Sequence, residues 1–492
     1  MNYKVIYNII GRILCVEAAF LVPAVAISTY YQETGAIRAL WISIVAIACV
    51  GVLLLLPRPV KKDYYAREGY ISVGLSWIII SLFGALPFYL SGEVPSYLDA
   101  VFETISGFTT TGASILENVE VMSRGLLYWR SFTHWLGGMG VLVFVLALHP
   151  MARGSGQSLH LLRAESPGPE VGKLVPKIHK SAKILYGIYI GLTLLQIVLL
   201  ALGGMPLFDN VTTVFGTAGT GGFAVRADSM AGYSPYIQTV ITIFMALFGV
   251  NFSVFYLFLS GHPRQALRSE EVRLYIGILA GATLLITLNI LPHYANAGEA
   301  LHHAAFQVSS IMTTTGFATT DFNLWPEFSK CILLLLMIVG ACAGSTGGGI
   351  KVSRLLLLIK SMRMERKRIL HPRSVSVISL DQKPISDETM RGVTLFMTAY
   401  FFTAALSFLI VSLDNMGLET SLSAVLACIN NIGPGLDIVG PMGNYAAFSP
   451  LSKLVLCADM LLGRLEIIPL LMLFAPSAWT KGIRHKQKAS GW

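Results

Sequence analysis

The stretch SYLDAVFETISGFTTTGAS, Ser96 to Ser114, decides the fold. Its first half is apolar enough for a helix but shorter than the roughly 20 residues that cross a hydrocarbon core of about 30 Å. Its second half is a run of threonines closed by Gly112. Long apolar runs flank it, Ile71 to Leu90 before and Leu127 to Leu148 after. A short helix that enters the membrane, turns at the glycine and leaves as irregular chain accounts for this order.

The same order returns three times. PLFDNVTTVFGTAGTGGFAV (Pro206 to Val225), EALHHAAFQVSSIMTTTGFATTDF (Glu299 to Phe322) and ETSLSAVLACINNIGPGLD (Glu419 to Asp437) each follow one long apolar run and precede another. Aligned on their turns, the glycines are Gly112, Gly221, Gly316 and Gly433, roughly one hundred residues apart, so an internal repeat organises the chain. Two more apolar runs, Tyr7 to Tyr30 and Trp41 to Leu56, precede the first copy without such a loop between them. The predicted fold is therefore an all-α polytopic membrane protein of ten spans, with an N-terminal helix hairpin (1–69) followed by four helix–pore loop–helix repeats (70–182, 183–273, 274–391 and 392–492) around a pseudo-fourfold pore. The first apolar run reads as a retained span, because no small-residue cleavage pattern closes it.

Composition agrees. With 54% apolar and 13% charged residues in 492, the chain carries more apolar surface than a soluble protein of this length buries. The net charge of +9 is unevenly placed. Alternating the loops between two sides gathers Lys4 and the stretches 58–67, 151–183, 261–273, 360–391 and 481–488 together, and these hold most of the Lys and Arg. That side is the cytoplasm by the positive-inside rule, and the amino terminus lies there. The other side collects Glu93, Asp99, Glu117, Glu120, Asp209, Asp228, Asp321 and Asp437 among others, which reads either as a cation-attracting mouth or as solvated loops.

Irregular backbone survives at membrane depth only where protein buries it or water reaches it, so four such loops imply a shared aqueous axis. A ring of backbone carbonyls replaces a cation's hydration shell without fixed charge, and glycine reaches the required backbone angles cheaply. The loop residues that would form this ring are Thr110, Thr111 and Gly112; Gly219, Thr220 and Gly221; Thr314, Thr315 and Gly316; and Asn431, Ile432 and Gly433. The carboxyl ends of the short helices add negative dipole ends facing the cavity. The competing reading, that Gly and Thr cluster only for helix packing, has to hold four times in register.

Other chemistries find little support. GSTGGGIK (Gly344 to Lys351) has Ile350 where a phosphate-binding loop needs Lys, and GTAGTGGF (Gly216 to Phe223) lacks the dinucleotide-binding order. The six cysteines lie in or beside apolar segments without metal-ligand spacing, and His134, His302 and His303 read as structural. No nucleophile motif or catalytic carboxylate pair suggests an enzyme, and a two-halved secondary transporter would not show four quarters.

At TTTGAS (Thr109 to Ser114), RSFTHWLGGMG (Arg130 to Gly140), TGGF, TTTGFAT, GACAGSTGGGIK (Gly340 to Lys351), NNIGPG and LLGRLE (Leu461 to Glu466), the chain resembles the Trk/Ktr/HKT superfamily of cation transporters, and within it the TrkH-type pore subunit of bacterial potassium uptake. The resemblance implies potassium as the transported ion, a bacterial cytoplasmic membrane, a homodimer with one pore per protomer and a TrkA-type cytosolic nucleotide-binding regulatory subunit. No organic cofactor and no nucleic acid are expected for this chain, and membrane lipid surrounds it. A sodium-permeable or sodium-coupled transporter is the alternative. Gly219 stands where the family more often has a hydroxyl residue, which predicts a looser second quarter of the ring.

Two further features carry expectations. Gly340, Gly344, Gly347, Gly348 and Gly349 interrupt the third repeat's exit helix, which makes a continuous helix there unfavourable. The resemblance implies an intramembrane loop that gates the pore; a packing kink is the other reading. Arg464 lies within the last apolar run, where a charge must face partners or water. It either projects below the filter as an electrostatic barrier, as the resemblance implies, or pairs with Asp459 or Glu466.

Overall fold

The computed structural model describes residues 2–57, 66–140, 178–373 and 377–479. The stretch 58–65, most of the basic stretch 151–183 and the basic tail 481–488 lie outside the described residues.

The described residues are helical almost throughout and include one short hairpin, Ser379–Leu380 against Lys383–Pro384. Among the described residues, six helical stretches are long and apolar enough to cross a membrane: Tyr3–Tyr30, Thr34–Leu55, Glu68–Leu90, Lys183–Leu202, Glu270–His293 and Asp387–Asp414. Their outward faces carry large apolar side chains, among them Trp41, Ile42 and Val45 on one helix and Phe401, Phe402 and Leu406 on another. Such surface is unstable against water and matched by lipid, so this is a multi-span membrane protein.

The first two long stretches form the N-terminal hairpin. They cross where Gly11 meets Gly51, and a Cβ on Gly11 would stand 2.7 Å from the Gly51 carbonyl oxygen. Small residues at this crossing let the two backbones touch, as helix association in lipid favours. The hairpin then packs against the first unit, with Ser28 filling the space over Gly125.

After the hairpin, each unit places a short helix between a leading and an exit helix. The short helices are Tyr97–Phe108, Leu207–Gly219, Ala297–Met312 and Leu418–Ile429, of 12, 13, 16 and 12 residues. At 1.5 Å per residue they are about 18 to 24 Å long, too short to span. Two have side-chain caps that mark their starts: Ser96 Oγ accepts the Asp99 N–H and Asn296 Oδ1 accepts the Glu299 N–H.

The exit helices depart from the sequence reading, which expected a break only in the third. Breaks occur in three of the four. Pro235–Phe248 bends by 94° into Phe252–Leu259. Glu327–Val339 gives way to the irregular segment 340–351 before Val352–Leu370. Pro450–Arg464 ends at Glu466 and Ile467, both at positive φ, before Ile468–Phe474. The first, Arg124–Gly138, stops beside Gly140, and its expected continuation to Leu148 lies outside the described residues. The ten expected spans therefore include exit helices too short to cross on their own.

Candidate ion pathway

The four short helices end in the same way. At Thr110, Thr220, Thr314 and Asn431 the backbone turns left-handed, with φ of 56, 55, 59 and 55°. The N–H of each bonds a carbonyl three residues back, and the next N–H bonds five residues back. The pairs are Thr110 to Gly107 and Thr111 to Ser106, Thr220 to Thr217 and Gly221 to Gly216, Thr314 to Ile311 and Thr315 to Ser310, and Asn431 to Cys428 and Ile432 to Ala427. This is the Schellman helix ending, normally built on glycine. A threonine there costs about 1–3 kcal/mol, which only a surrounding structure that dictates the turn can offset.

Two residues further on, Gly112, Gly222, Gly316 and Gly433 take φ of 81, 74, 86 and 98°. They close a cycle. A Cβ on Gly112 would overlap the Gly221 carbonyl oxygen, one on Gly222 the Thr315 oxygen, and one on Gly316 the Ile432 oxygen; one on Gly433 would stand 2.7 Å from the Thr111 oxygen. Each loop thus abuts the next, and the fourth returns to the first. The same four glycines line a common vestibule of about 130 Å³.

The cycle corrects the register of the second loop. Its equivalent of Gly112 is Gly222, not Gly221, and its triplet is Thr220, Gly221 and Gly222. Gly219 ends the short helix, in the place of Thr109, Thr313 and Asn430. A three-glycine cluster hides this register in the sequence, because only the backbone angles show which member turns left-handed.

Side chains brace the ring from behind. Thr109 and Thr111 hydroxyls lie 2.8 Å apart in the first loop, and Thr313 and Thr315 lie 2.7 Å apart in the third. Asn431 Nδ2 donates to Thr111 Oγ1 and to the Met460 carbonyl, each at 2.9 Å. Glu103 and Arg130 form a fully buried pair, with Arg130 Nε donating to Glu103 Oε1 at 2.6 Å. Glu103 also accepts Ser114 Oγ and the Ile115 N–H, while Arg130 donates to the Ala224 carbonyl and covers the Phe223 ring. The pair therefore ties the outgoing strand of the first loop to that of the second. The sequence reading counted both among the charges of the outer side and did not pair them, although a charge within an apolar run is the signal that singled out Arg464.

The vestibule wall includes Glu117 together with Arg130 and Arg226, so acids do not dominate it. Many acids of this face hold loops instead: Glu93 accepts the Ser123 N–H, Glu120 the Ala227 N–H and Asp414 the Ser449 N–H, and Asp99 pairs with Lys453. These acids are tied into the loops, an arrangement that neither the cation-attracting mouth nor the solvated loops expected from sequence described. His302 and His303 likewise bond Gln238 and Thr319.

Segment 340–351 lies against the third and fourth loops. Gly348 N–H donates to Thr314 Oγ1 at 2.7 Å, a Cβ on Gly347 would stand 2.9 Å from the Thr313 carbonyl oxygen, and one on Gly348 would overlap that of Asn430. Glu271 Oε1 accepts both the Ala343 N–H at 2.7 Å and the Ser353 N–H at 3.1 Å, pinning the segment near its two ends. Phe252 N–H bonds the Gly344 carbonyl, and buried Lys351 donates to those of Gly347 and Gly348. Gly344 and Gly349 adopt positive φ within it.

Arg464 donates to the Thr346 carbonyl of this segment at 2.8 Å, and to the Gly137 and Gly138 carbonyls at the end of the first exit helix. It joins three units. Neither expected carboxylate partner is its own: Glu466 pairs with Arg354, and Asp459 accepts the Ser407 hydroxyl at 2.7 Å. Among the described residues no group of His, Cys, Asp or Glu is arranged to hold a metal ion.

Residues 37–482 match the family model described as TrkH, cation transport protein. The chain belongs to the TrkH family. This family consists of membrane cation transporters and not of enzymes. The chain is 36% identical over 488 residues to the Trk system potassium uptake protein TrkH of Salmonella typhimurium, covering 97% of this chain and 100% of that protein. It is 31% identical over 487 residues to the Trk system potassium uptake protein TrkG of Escherichia coli strain K12, covering 97% and 99%. Among solved structures, the potassium transporter TrkH from Vibrio parahaemolyticus superimposes with a TM-score of 0.87 at 32% identity, covering 98% of this TrkH-family chain and 100% of the other.

Proposed function

We propose that this chain takes up potassium across the bacterial cytoplasmic membrane, with its amino terminus inside, through the ring formed by residues 110–112, 220–222, 314–316 and 431–433. The observation that carries the reading is the closed cycle of glycines against carbonyls. Four loops that touch in sequence around an axis bring carbonyl dipoles to one place, and such a ring replaces the water of a cation. Each of the four short helices ends at one of these loops, and their carboxyl ends favour positive charge there. Potassium as the cation comes from the relatives, which are potassium uptake proteins.

The segment 340–351 is the gate in this reading. It lies under the third and fourth loops and is held by hydrogen bonds to Glu271, Thr314 and Arg464, which can be broken singly. Arg464 places a positive charge at the same level, where it opposes a passing cation while the segment is seated. Release of the segment would be driven from the cytoplasmic side by a TrkA-type nucleotide-binding subunit, and two copies of the chain would each carry one pore.

Reconstitution of the purified chain in liposomes tests the reading. Under bi-ionic potassium and sodium gradients, a reversal potential near the potassium limit is expected. Equal permeability would reject potassium selectivity and favour the sodium-permeable alternative.

A further inference from the structure

The second loop lacks the side chains that brace the first and third. In loops one and three a threonine stands on each side of the left-handed residue, and the two hydroxyls bond each other. The corresponding second-loop positions are Gly219 and Gly221. That space is filled from another element. The His134 ring lies against Gly221 so closely that a Cβ there would overlap it, and the His134 carbonyl oxygen occupies the same position relative to Gly219.

His134 comes from the first exit helix, Arg124–Gly138, and is completely buried. Its Nδ1 lies 2.7 Å from the Gly107 carbonyl oxygen, so Nδ1 carries the hydrogen and donates it. That carbonyl also accepts the Thr110 N–H that closes the first loop's helix ending. Phe223, directly after Gly222, packs on the imidazole with centroids 4.1 Å apart. One ring therefore touches the turn of the first loop and the backbone of the second, and its orientation is set by a directed hydrogen bond.

We propose that His134 is a positioning residue that supplies the second loop's missing brace and so sets ion specificity; this rests on the four-loop ring being the selectivity filter. The two glycines are not a looseness in the ring. They are the space that an imidazole from the neighbouring unit requires. Fixed volume behind the loop keeps the Thr220, Gly221 and Gly222 backbone at the spacing of the other three, and a ring held to one spacing discriminates between cations of different radius.

The test is reciprocal exchange, read as the potassium-to-sodium permeability ratio in liposomes together with the thermal unfolding midpoint. His134→Ala empties the space and is expected to lower the ratio about tenfold. His134→Gln, which keeps a donor but loses the ring, should fall between. Gly221→Thr alone drives a side chain into the imidazole and should abolish uptake, whereas Gly221→Thr with His134→Ala puts the one threonine equivalent to Thr111 and Thr315 into the vacated space and should recover most of the ratio. A His134→Ala protein with a lower midpoint and an unchanged ratio would overturn the proposal, as would Gly221→Thr being equally damaging in both backgrounds; if His134→Ala does not assemble, His134→Gln and the double variant decide by the same criteria. A wild-type protein that fails to prefer potassium would instead overturn the filter reading.

Discussion

The amide of Asn431 donates to the hydroxyl of Thr111 across 2.9 Å, joining the last loop to the first although 320 positions separate them. The same amide bonds the Met460 carbonyl, so one side chain closes the ring and fastens it to the fourth exit helix. Asn431→Gly tests this link by itself, because glycine adopts φ of 55° without strain. Losing two buried hydrogen bonds should cost about 1–3 kcal/mol. The expected result is a lower unfolding midpoint and a reduced potassium preference, measured by thermal melts in detergent and bi-ionic reversal potentials.

Glu271 holds two N–H groups of the 340–351 segment with one carboxylate oxygen. Glu271→Ala leaves both donors buried and unpaired, at about 1–3 kcal/mol each. Part of that cost falls on the seated position of the segment, so basal cation flux should rise several-fold above that of wild type. Flux no higher than wild type, with normal assembly by size-exclusion chromatography, would count against the segment as a gate.

Gly348 and Arg464 act on the same segment, one by leaving room beneath the Asn430 carbonyl and the other by holding Thr346. Gly348→Ala should unseat the segment by steric overlap, and Arg464→Ala should release it and remove a barrier charge. Each should increase flux in a tracer-uptake assay. Because both release one element, the double variant should exceed the larger single effect by less than the product of the two.

The Arg130–Glu103 pair is buried from solvent on both sides. Arg130→Leu strands the Glu103 carboxylate and should destabilise the protein by about 3–5 kcal/mol. Adding Glu103→Gln removes the stranded charge and should recover part of that loss. Thermal midpoints of the two variants give the comparison, and a double variant as unstable as the single would show that geometry rather than charge dominates there.

Some of this was legible before any coordinates. Hydrophobic length is a local property, so the spans of the hairpin and the four leading helices could be read as runs such as Ile71 to Leu90. Half-length runs closed by TTTG or NNIG are local as well, which is why the short helices ending at Thr110, Thr314 and Asn431 lie in the stretches that sequence singled out. The second loop failed because Gly219, Gly221 and Gly222 offer three candidates, and side-chain chemistry does not separate them. The continuous exit helices failed because the breaks at Gly249 and at Glu466 and Ile467 leave little compositional mark in an apolar run.

The sequence by itself determined the membrane class, the fourfold repetition and the residue types at each turn, since these follow from length, apolarity and the conformational cost of glycine and threonine, all of which act over a few neighbouring residues. Only the tertiary structure decided which glycine of the second loop completes the ring, that Arg464 is shared among three units through backbone carbonyls, and that the His134 ring lies against Gly221. Those outcomes depend on contacts between residues dozens to hundreds of positions apart, where shape and hydrogen-bond direction choose the partner and chain order carries no record of the choice.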